Sequence, residues 1–451
     1  MRPIYDMLLA ASGRRSFHMP GHKGVSPFGT ADLYALDTTE IPQTDDLYCP
    51  ENGIAEAQRL YARAAGAAET LFLHNGSTAG IHAMVQLYAG EGDTVILPRN
   101  AHLSAANGCV IGGVKAAWIP ITQLLDGYCY IAEADALAAL EAQPHAKAML
   151  LTRPDFYGGC LPLERIIAKA HGMGIKVVVD EAHGAHLPWL EGVASAGELG
   201  ADAWVQSVHK TLPGLTGSAV LHLRSAADKP KAMRILRREQ TSSPSFVMLM
   251  SIDDSRAYME ETGREKLALT AKMANILRGA LPVTGYEEAH CQWRHTGLQF
   301  DSTRVVLHAP QGGFRLAKTL RENGIDVEMA DIRRVVLILS CMDGPGDIMR
   351  LVGILRENPP QGKLLPMLPD MRTLPEKALD LRPAVMADCE PVPLAEAEGR
   401  IAAASAGLYP PGIPLICPGE KFSREIISLL QRAGSQERFG LEGENLLCVK
   451  L

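Results

Sequence analysis

From about residue 70 to residue 225 the chain alternates short apolar runs with stretches whose apolar residues recur at three- and four-residue steps. No other feature limits the possible folds so strongly. The strand-sized runs are 93–97, 114–119, 148–152, 176–180, 203–207 and 219–223, and helical patterns at 79–88, 133–141 and 163–171 lie among them. Strands separated by helices join through right-handed crossovers, which predicts an α/β domain with a mostly parallel sheet covered on both faces.

At 451 residues the chain is too long for one hydrophobic core, so several domains are expected. After a long helical pattern at 256–281 comes a mixed block, with strand runs at 297–300, 303–308, 326–329 and 335–341 and a helical run at 313–323. The Pro-rich stretch 358–369 reads as a linker, 375–405 as helical again, and 409–418 holds four prolines. The expected division is an N-terminal arm or entrance segment 1–60, a large domain 61–255, a small α+β domain 256–357 and a C-terminal domain 370–451.

The longest apolar runs, such as Val335-Val336-Leu337-Ile338-Leu339, are strand-sized, which argues against a membrane span. Arg2 and Asp6 interrupt the amino terminus, so it does not read as a secretory leader. Nine scattered cysteines without a C-x-x-C pair read as reduced thiols, and the expected location is the cytoplasm. A net charge of −7 leaves no electrostatic footprint for nucleic acid.

In a parallel α/β sheet the ligand sits beyond the carboxyl ends of the strands. Four segments there carry chemistry. Asn75-Gly76-Ser77-Thr78 leads into a helix, where small residues and hydroxyls either surround an anion or form an ordinary cap. Asp180 ends the apolar run Val177-Val178-Val179 and, with His183, offers a carboxylate and an imidazole; its role is a ring-nitrogen partner or a turn residue. A weaker reading makes Asp180, His183 and His186 metal ligands, and no metal is expected. Ser207-Val208-His209-Lys210 places a lysine at the end of another apolar run, where a depressed pKa makes an amine nucleophilic towards carbonyls. His102, after Pro98-Arg99-Asn100-Ala101, is either a structural histidine or a ring that lies over a planar ligand.

Together these pieces match what pyridoxal 5'-phosphate needs: partners for its phosphate, pyridinium nitrogen, ring face and aldehyde. Neither a G-x-x-x-x-G-K-[ST] loop nor a strand-linked G-x-G-x-x-G is present.

The strings Ser16-Phe17-His18-Met19-Pro20-Gly21-His22-Lys23-Gly24, Asn75-Gly76-Ser77-Thr78, Asp180-Glu181-Ala182-His183-Gly184, Ser207-Val208-His209-Lys210-Thr211-Leu212-Pro213 and Thr241-Ser242-Ser243-Pro244-Ser245 resemble the ornithine/lysine/arginine decarboxylase family. Glu398-Gly399-Arg400-Ile401 and Tyr409-Pro410-Pro411-Gly412-Ile413-Pro414 are similar to its C-terminal domain. The resemblance implies the aspartate-aminotransferase fold and decarboxylation of lysine, arginine or ornithine to the amine and CO2, a step of polyamine biosynthesis. It makes Lys210 the Schiff-base lysine, Asp180 the partner of the ring nitrogen and His102 the stacking residue. Gly76, Ser77, Thr78, His183, Ser207 and His209 become the remaining cofactor neighbours. A homodimer with a shared active site is implied, in a short form without the amino-terminal wing domain.

Leu103 and Gly217 stand where many relatives carry lysine and glutamine, and Tyr48-Cys49 where histidine is usual. Lys210 and His209 are both candidates to return a proton to the substrate. Charge alone nominates Asp45, Asp46, Glu51 and Glu420 to meet the distal cation of the substrate. The alternatives are an aminotransferase or lyase acting on another amino acid and a catalytically silent cofactor-binding homologue.

Overall fold

The computed structural model describes residues 15–17, 21, 45–365, 370, 372–409, 412–434 and 438–450. Most of the expected arm up to residue 44, with most of the Ser16–Gly24 string, residues 366–369 of the linker, Pro410 and Pro411 lie outside the described residues.

Seven strands form the main sheet: β1 (Glu69–Leu73), β2 (Thr94–Pro98), β3 (Lys115–Ile119), β4 (Ala148–Thr152), β5 (Lys176–Asp180), β6 (Ala203–Gln206) and β7 (Ala219–Leu223). Their order is β1-β7-β6-β5-β4-β2-β3. The ladders from β6 through β5, β4 and β2 to β3 are parallel. Only β7 runs against its neighbours β6 and β1. The connection from β6 to β7 holds only the one-turn helix Val208–Thr211, and β7 returns antiparallel. Strand β1 escapes the apolar-run reading because Glu69 and Thr70 dilute it.

Val177, Val178 and Val179 are all buried, as a strand covered on both faces requires. One face of the sheet packs against α1 (Gly76–Tyr88) and α2 (Leu103–Gly112). A Cβ on Gly80 would come within 2.6 Å of Val205 Cγ2, so this glycine lets α1 lie close on the sheet. The helices Glu133–Ala142 and Glu164–Gly172 contribute to the core on the other face. Thr152 is level with Asp180, and Asp180 with Val205, so the chemistry-bearing ends of three strands align along one edge.

The helical pattern expected at 256–281 begins earlier. The helix Phe246–Tyr258 passes through a π-helical turn, Met259–Gly263, into Arg264–Ala280. Beyond it an antiparallel four-stranded sheet contains Glu287–Glu288, Arg304–His308, Met329–Ala330 and Arg334–Ile338. The expectation of a helical 375–405 is wrong. That stretch holds only the short helix Leu381–Met386, the strand Cys389–Pro393 and a 3-10 turn. Pro391 and Pro393 each remove a backbone donor, and a helix interior does not tolerate that. Among the described residues no helix is long and apolar enough to cross a membrane.

Candidate active site

A cavity of about 550 Å³ opens at the carboxyl edge of the main sheet. Gly76, Ser77, Thr78 and His102 line it from the starts of α1 and α2. Asp180 lines it from the end of β5, and His183, Ser207, His209 and Lys210 from the turns after β5 and β6. Residues scattered over 135 positions of sequence thus share one wall because parallel strands bring their carboxyl ends to one edge.

The start of α1 is shaped for an anion. Asn75 precedes it without making a side-chain capping bond, so the first-turn amides and the positive end of the helix face the cavity. Gly76 has φ +70° and donates its N–H to the Gly217 carbonyl at 3.1 Å, so it shapes the turn while Ser77 and Thr78 follow. Gly217 is itself left-handed, with φ +93°.

His102 caps α2. Its Nδ1 accepts the Ser104 backbone N–H at 3.2 Å and lies 2.7 Å from the Ser104 hydroxyl, which puts the ring proton on Nε2. Burial lowers its pKa, against the opposing pull of Asp180. Asp180 is buried and accepts the Ala182 N–H at 3.1 Å. Lys210 Nζ lies 3.3 Å from His183 Nε2. Burial pushes the Lys210 amine below its ordinary pKa, only partly offset by Asp180 and Glu328. Burial, Lys210 and Arg304 hold His183 well below its usual range, so its imidazole is neutral. The His183 ring sits 5.1 Å from Phe156. His209 Nδ1 faces the Ser218 carbonyl at 3.0 Å.

Several polar atoms on this wall lack a protein partner. Among the described residues Ser207 Oγ, Asn100 Oδ1, Thr152 Oγ1 and His183 Nδ1 are buried without a hydrogen bond. Buried polar atoms in proteins generally find a partner, so four of them gathered on one cavity wall suit a polar ligand. An anion-ready helix start, a buried strand-end carboxylate and a lysine of lowered pKa fit the phosphate, the ring nitrogen and the aldehyde of pyridoxal phosphate.

Three residues nominated by charge have other duties. Asp45 accepts the backbone N–H groups of Asp46, Glu51, Asn52 and Ile54 at 2.9–3.0 Å, tying down the entry to the helix Gly53–Ala65. Burial opposes its ionisation, but these four donors keep its carboxyl below the ordinary value. Glu420 is buried in a bidentate ion pair with Arg99, both bonds 2.7 Å. Asp46 accepts the Tyr48 N–H at 2.7 Å. Glu51 is exposed and does not line the cavity. His186 turns away from Asp180 and His183 and pairs with buried Asp301 at 3.1 Å. No group of three metal-ligating side chains occurs among the described residues.

Tyr409 and Ile413, from the C-terminal string quoted above, also line the cavity, as do Asn100, Thr152, Phe156 and Phe439, which sequence reasoning did not nominate. Thr152 was findable as the last residue of a strand run. Phe439 comes from the C-terminal region outside any quoted string, and nothing local in the sequence announces it. Arg99 holds that region in place: besides Glu420 it donates to the Pro414 and Leu415 carbonyls and lies 5.1 Å from the Trp118 ring.

The model of the Orn/Lys/Arg decarboxylase major domain matches residues 2–295, and that of the family's C-terminal domain matches 361–439. The chain is 33% identical to an arginine decarboxylase of Bacillus subtilis, over 95% of this chain and 92% of that protein. It is 23% identical to the lysine decarboxylase LdcA of Pseudomonas aeruginosa, over 97% and 76% of the two chains. The solved structure of lysine decarboxylase A from P. aeruginosa shares its fold, with a TM-score of 0.78 at 21% identity over 92% of this chain and 74% of that one. The chain therefore belongs to the Orn/Lys/Arg decarboxylase family and is a pyridoxal 5'-phosphate-dependent carboxy-lyase acting on basic amino acids.

Proposed function

We propose that the substrate is L-arginine and the products agmatine and carbon dioxide. What carries the decarboxylase chemistry is a lysine of lowered pKa in the same cavity as a strand-end carboxylate and four unpartnered polar atoms. The choice of arginine rests on the greater likeness, over nearly the whole chain, to the B. subtilis arginine decarboxylase than to the P. aeruginosa lysine decarboxylase.

The cofactor, when bound, supplies an electron sink for the pair left by the departing carboxylate. Lys210 holds it through Nζ, which is nucleophilic because burial disfavours the ammonium form. Asp180 keeps a proton on the ring nitrogen. Ser77, Thr78 and Ser207 take the phosphate, and His102 and His183 flank the ring. Lys210 also returns the proton to the substrate's α-carbon, with His183 Nε2 3.3 Å away as its neighbour. His209 is the poorer carrier, since its Nδ1 is engaged with the Ser218 carbonyl. Tyr409, Ile413 and Phe439 shield the cavity from water, which favours loss of a charged carboxylate.

The working unit in this proposal is a cytoplasmic homodimer with a shared active site. Leu103 and Tyr409, exposed in one subunit although they line the cavity, support a second subunit at its mouth. The nine cysteines are thiols rather than disulfides, in keeping with a reducing compartment.

The test is a panel of L-arginine, L-lysine and L-ornithine with the cofactor-saturated protein, following amine and CO2. Arginine is expected to exceed the others in kcat/KM by about tenfold or more. Preference for lysine or ornithine removes the arginine assignment. Turnover that needs a keto acid and releases no CO2 removes the decarboxylase mechanism.

A further inference from the structure

Behind the cavity, on the other face of the sheet, lies a buried polar chain that the chemistry above does not use. Glu181 follows Asp180, and Gln206 precedes Ser207. Side chains alternate along a strand, so Glu181 and Gln206 project away from the face that carries Asp180 and Ser207. Both are fully buried, and Gln206 Nε2 donates to Glu181 Oε2 at 2.7 Å. Gln206 Oε1 then meets His222 Nε2 at 3.1 Å, and His222 Nδ1 meets Thr70 Oγ1 at 2.7 Å. Glu181 Oε1 accepts the Ala196 N–H at 2.7 Å and faces Arg153 Nη1 at 3.6 Å.

The chain has one direction. His222 is neutral, since burial lowers its pKa to about 3, so one ring nitrogen donates and the other accepts. With Gln206 giving its amide hydrogens to Glu181, its carbonyl must accept from His222 Nε2–H, and His222 Nδ1 accepts the Thr70 hydroxyl. Every buried group is satisfied. The four side chains belong to the end of β5 and to β6, β7 and β1, four neighbouring strands.

We propose that Glu181 is a positioning residue: its bond to Gln206 sets the spacing between the Asp180 end of β5 and the Ser207–Lys210 turn after β6. The main-chain link there is sparse, with Glu181 N–H on the Val205 carbonyl at 3.0 Å and a longer Ser207 N–H to Ala182 bond of 3.3 Å. The side-chain bond bridges the same gap one layer below, and a lysine and a carboxylate that must grip opposite parts of one cofactor depend on that gap. The inference rests on the proposed roles of Lys210 and Asp180.

The experiment compares the cofactor-loaded wild type with Glu181→Ala, Gln206→Met and Glu181→Gln. Three quantities are measured: the dissociation constant for pyridoxal phosphate, the pH midpoint of the bound cofactor's absorbance band, and kcat and KM separately. Gln206→Met keeps the volume but cuts the chain, and both it and Glu181→Ala are expected to weaken cofactor binding and lower kcat by about ten- to a hundredfold, with a moved absorbance midpoint and a smaller change in KM. Glu181→Gln is the rescue, because the chain can reverse: Gln206 turns over, His222 changes tautomer, and every bond persists. It is expected within about threefold of wild type, since only the charge towards Arg153 is lost. Should Glu181→Ala not fold, Gln206→Met carries the same expectation.

Binding and absorbance midpoint unchanged in Gln206→Met overturn the proposal, even if the melting temperature falls, because loss of packing alone would do that. A Glu181→Gln protein as impaired as Glu181→Ala overturns it too. Borohydride reduction and peptide mapping of the wild type separate the two layers of the argument. An unlabelled Lys210 defeats the site assignment itself, whereas a labelled Lys210 with unmoved variants defeats only the role of Glu181.

Discussion

Lys210 Nζ and His183 Nε2 stand 3.3 Å apart, an amine beside an imidazole that burial and the amine together keep neutral. A neutral ring can lie against the cofactor and accept from the lysine without repelling it. Lys210→Ala is expected to lower kcat by about a thousandfold or more, since on the proposed roles nucleophile and proton carrier vanish together. His183→Phe keeps a flat ring and loses the nitrogen, so a smaller loss, about ten- to a hundredfold, is expected from steady-state kinetics.

Arg99 and Glu420 form a bidentate pair across 321 positions of sequence, and both are buried. Removing one partner leaves an uncompensated buried charge, so Arg99→Met or Glu420→Gln is expected to cost about 3–5 kcal/mol in denaturant unfolding. Replacing both by apolar residues is expected to restore much of the loss. Because the pair holds the wall that carries Ile413, each single variant is also expected to raise KM. A KM equal to wild type in a folded Arg99→Met protein would contradict this.

Asp301 gives the protein an acid-sensitive point. Burial disfavours its ionised form, but His186, Arg304 and the Thr303 hydroxyl outweigh that and hold the carboxyl well below the usual range. A carboxyl depressed in the folded state contributes stability that is present above its unfolded pKa, about 4, and lost as pH falls through the lower folded value. Asp301→Asn is therefore expected to be less stable than wild type at neutral pH by about 3–5 kcal/mol, with the gap closing as pH falls below about 4. Urea unfolding across that range reads the difference, and a gap that stays constant with pH would refute the assignment.

Gly76 occupies φ +70° at the start of α1, with open space where a Cβ would stand. Alanine there meets no clash, only backbone strain of about 1–2 kcal/mol. Gly76→Ala is expected to weaken pyridoxal phosphate binding through a shifted turn while the apoprotein remains folded, which a cofactor titration beside a thermal melt measures.

Local pattern determined much of this protein from the sequence alone. The runs that end at Asp180 and before Ser207 announce buried strands because a strand covered on both faces must be apolar throughout, and the polar residues just past them then fall on the ligand edge. Tertiary structure decided what each charge does. Asp45, Asp46, Glu51 and Glu420 look alike in a list of carboxylates, yet Asp45 ties down a loop, Glu420 neutralises Arg99 and Glu51 is solvated. The antiparallel return of β7, the turn of His186 towards Asp301, and the approach of Tyr409 and Phe439 to the cavity also belong to the folded chain. Periodicity and strand-end chemistry are set by neighbours a few residues apart, whereas the partner of a buried charge can lie hundreds of residues away and is chosen only when the chain closes around it.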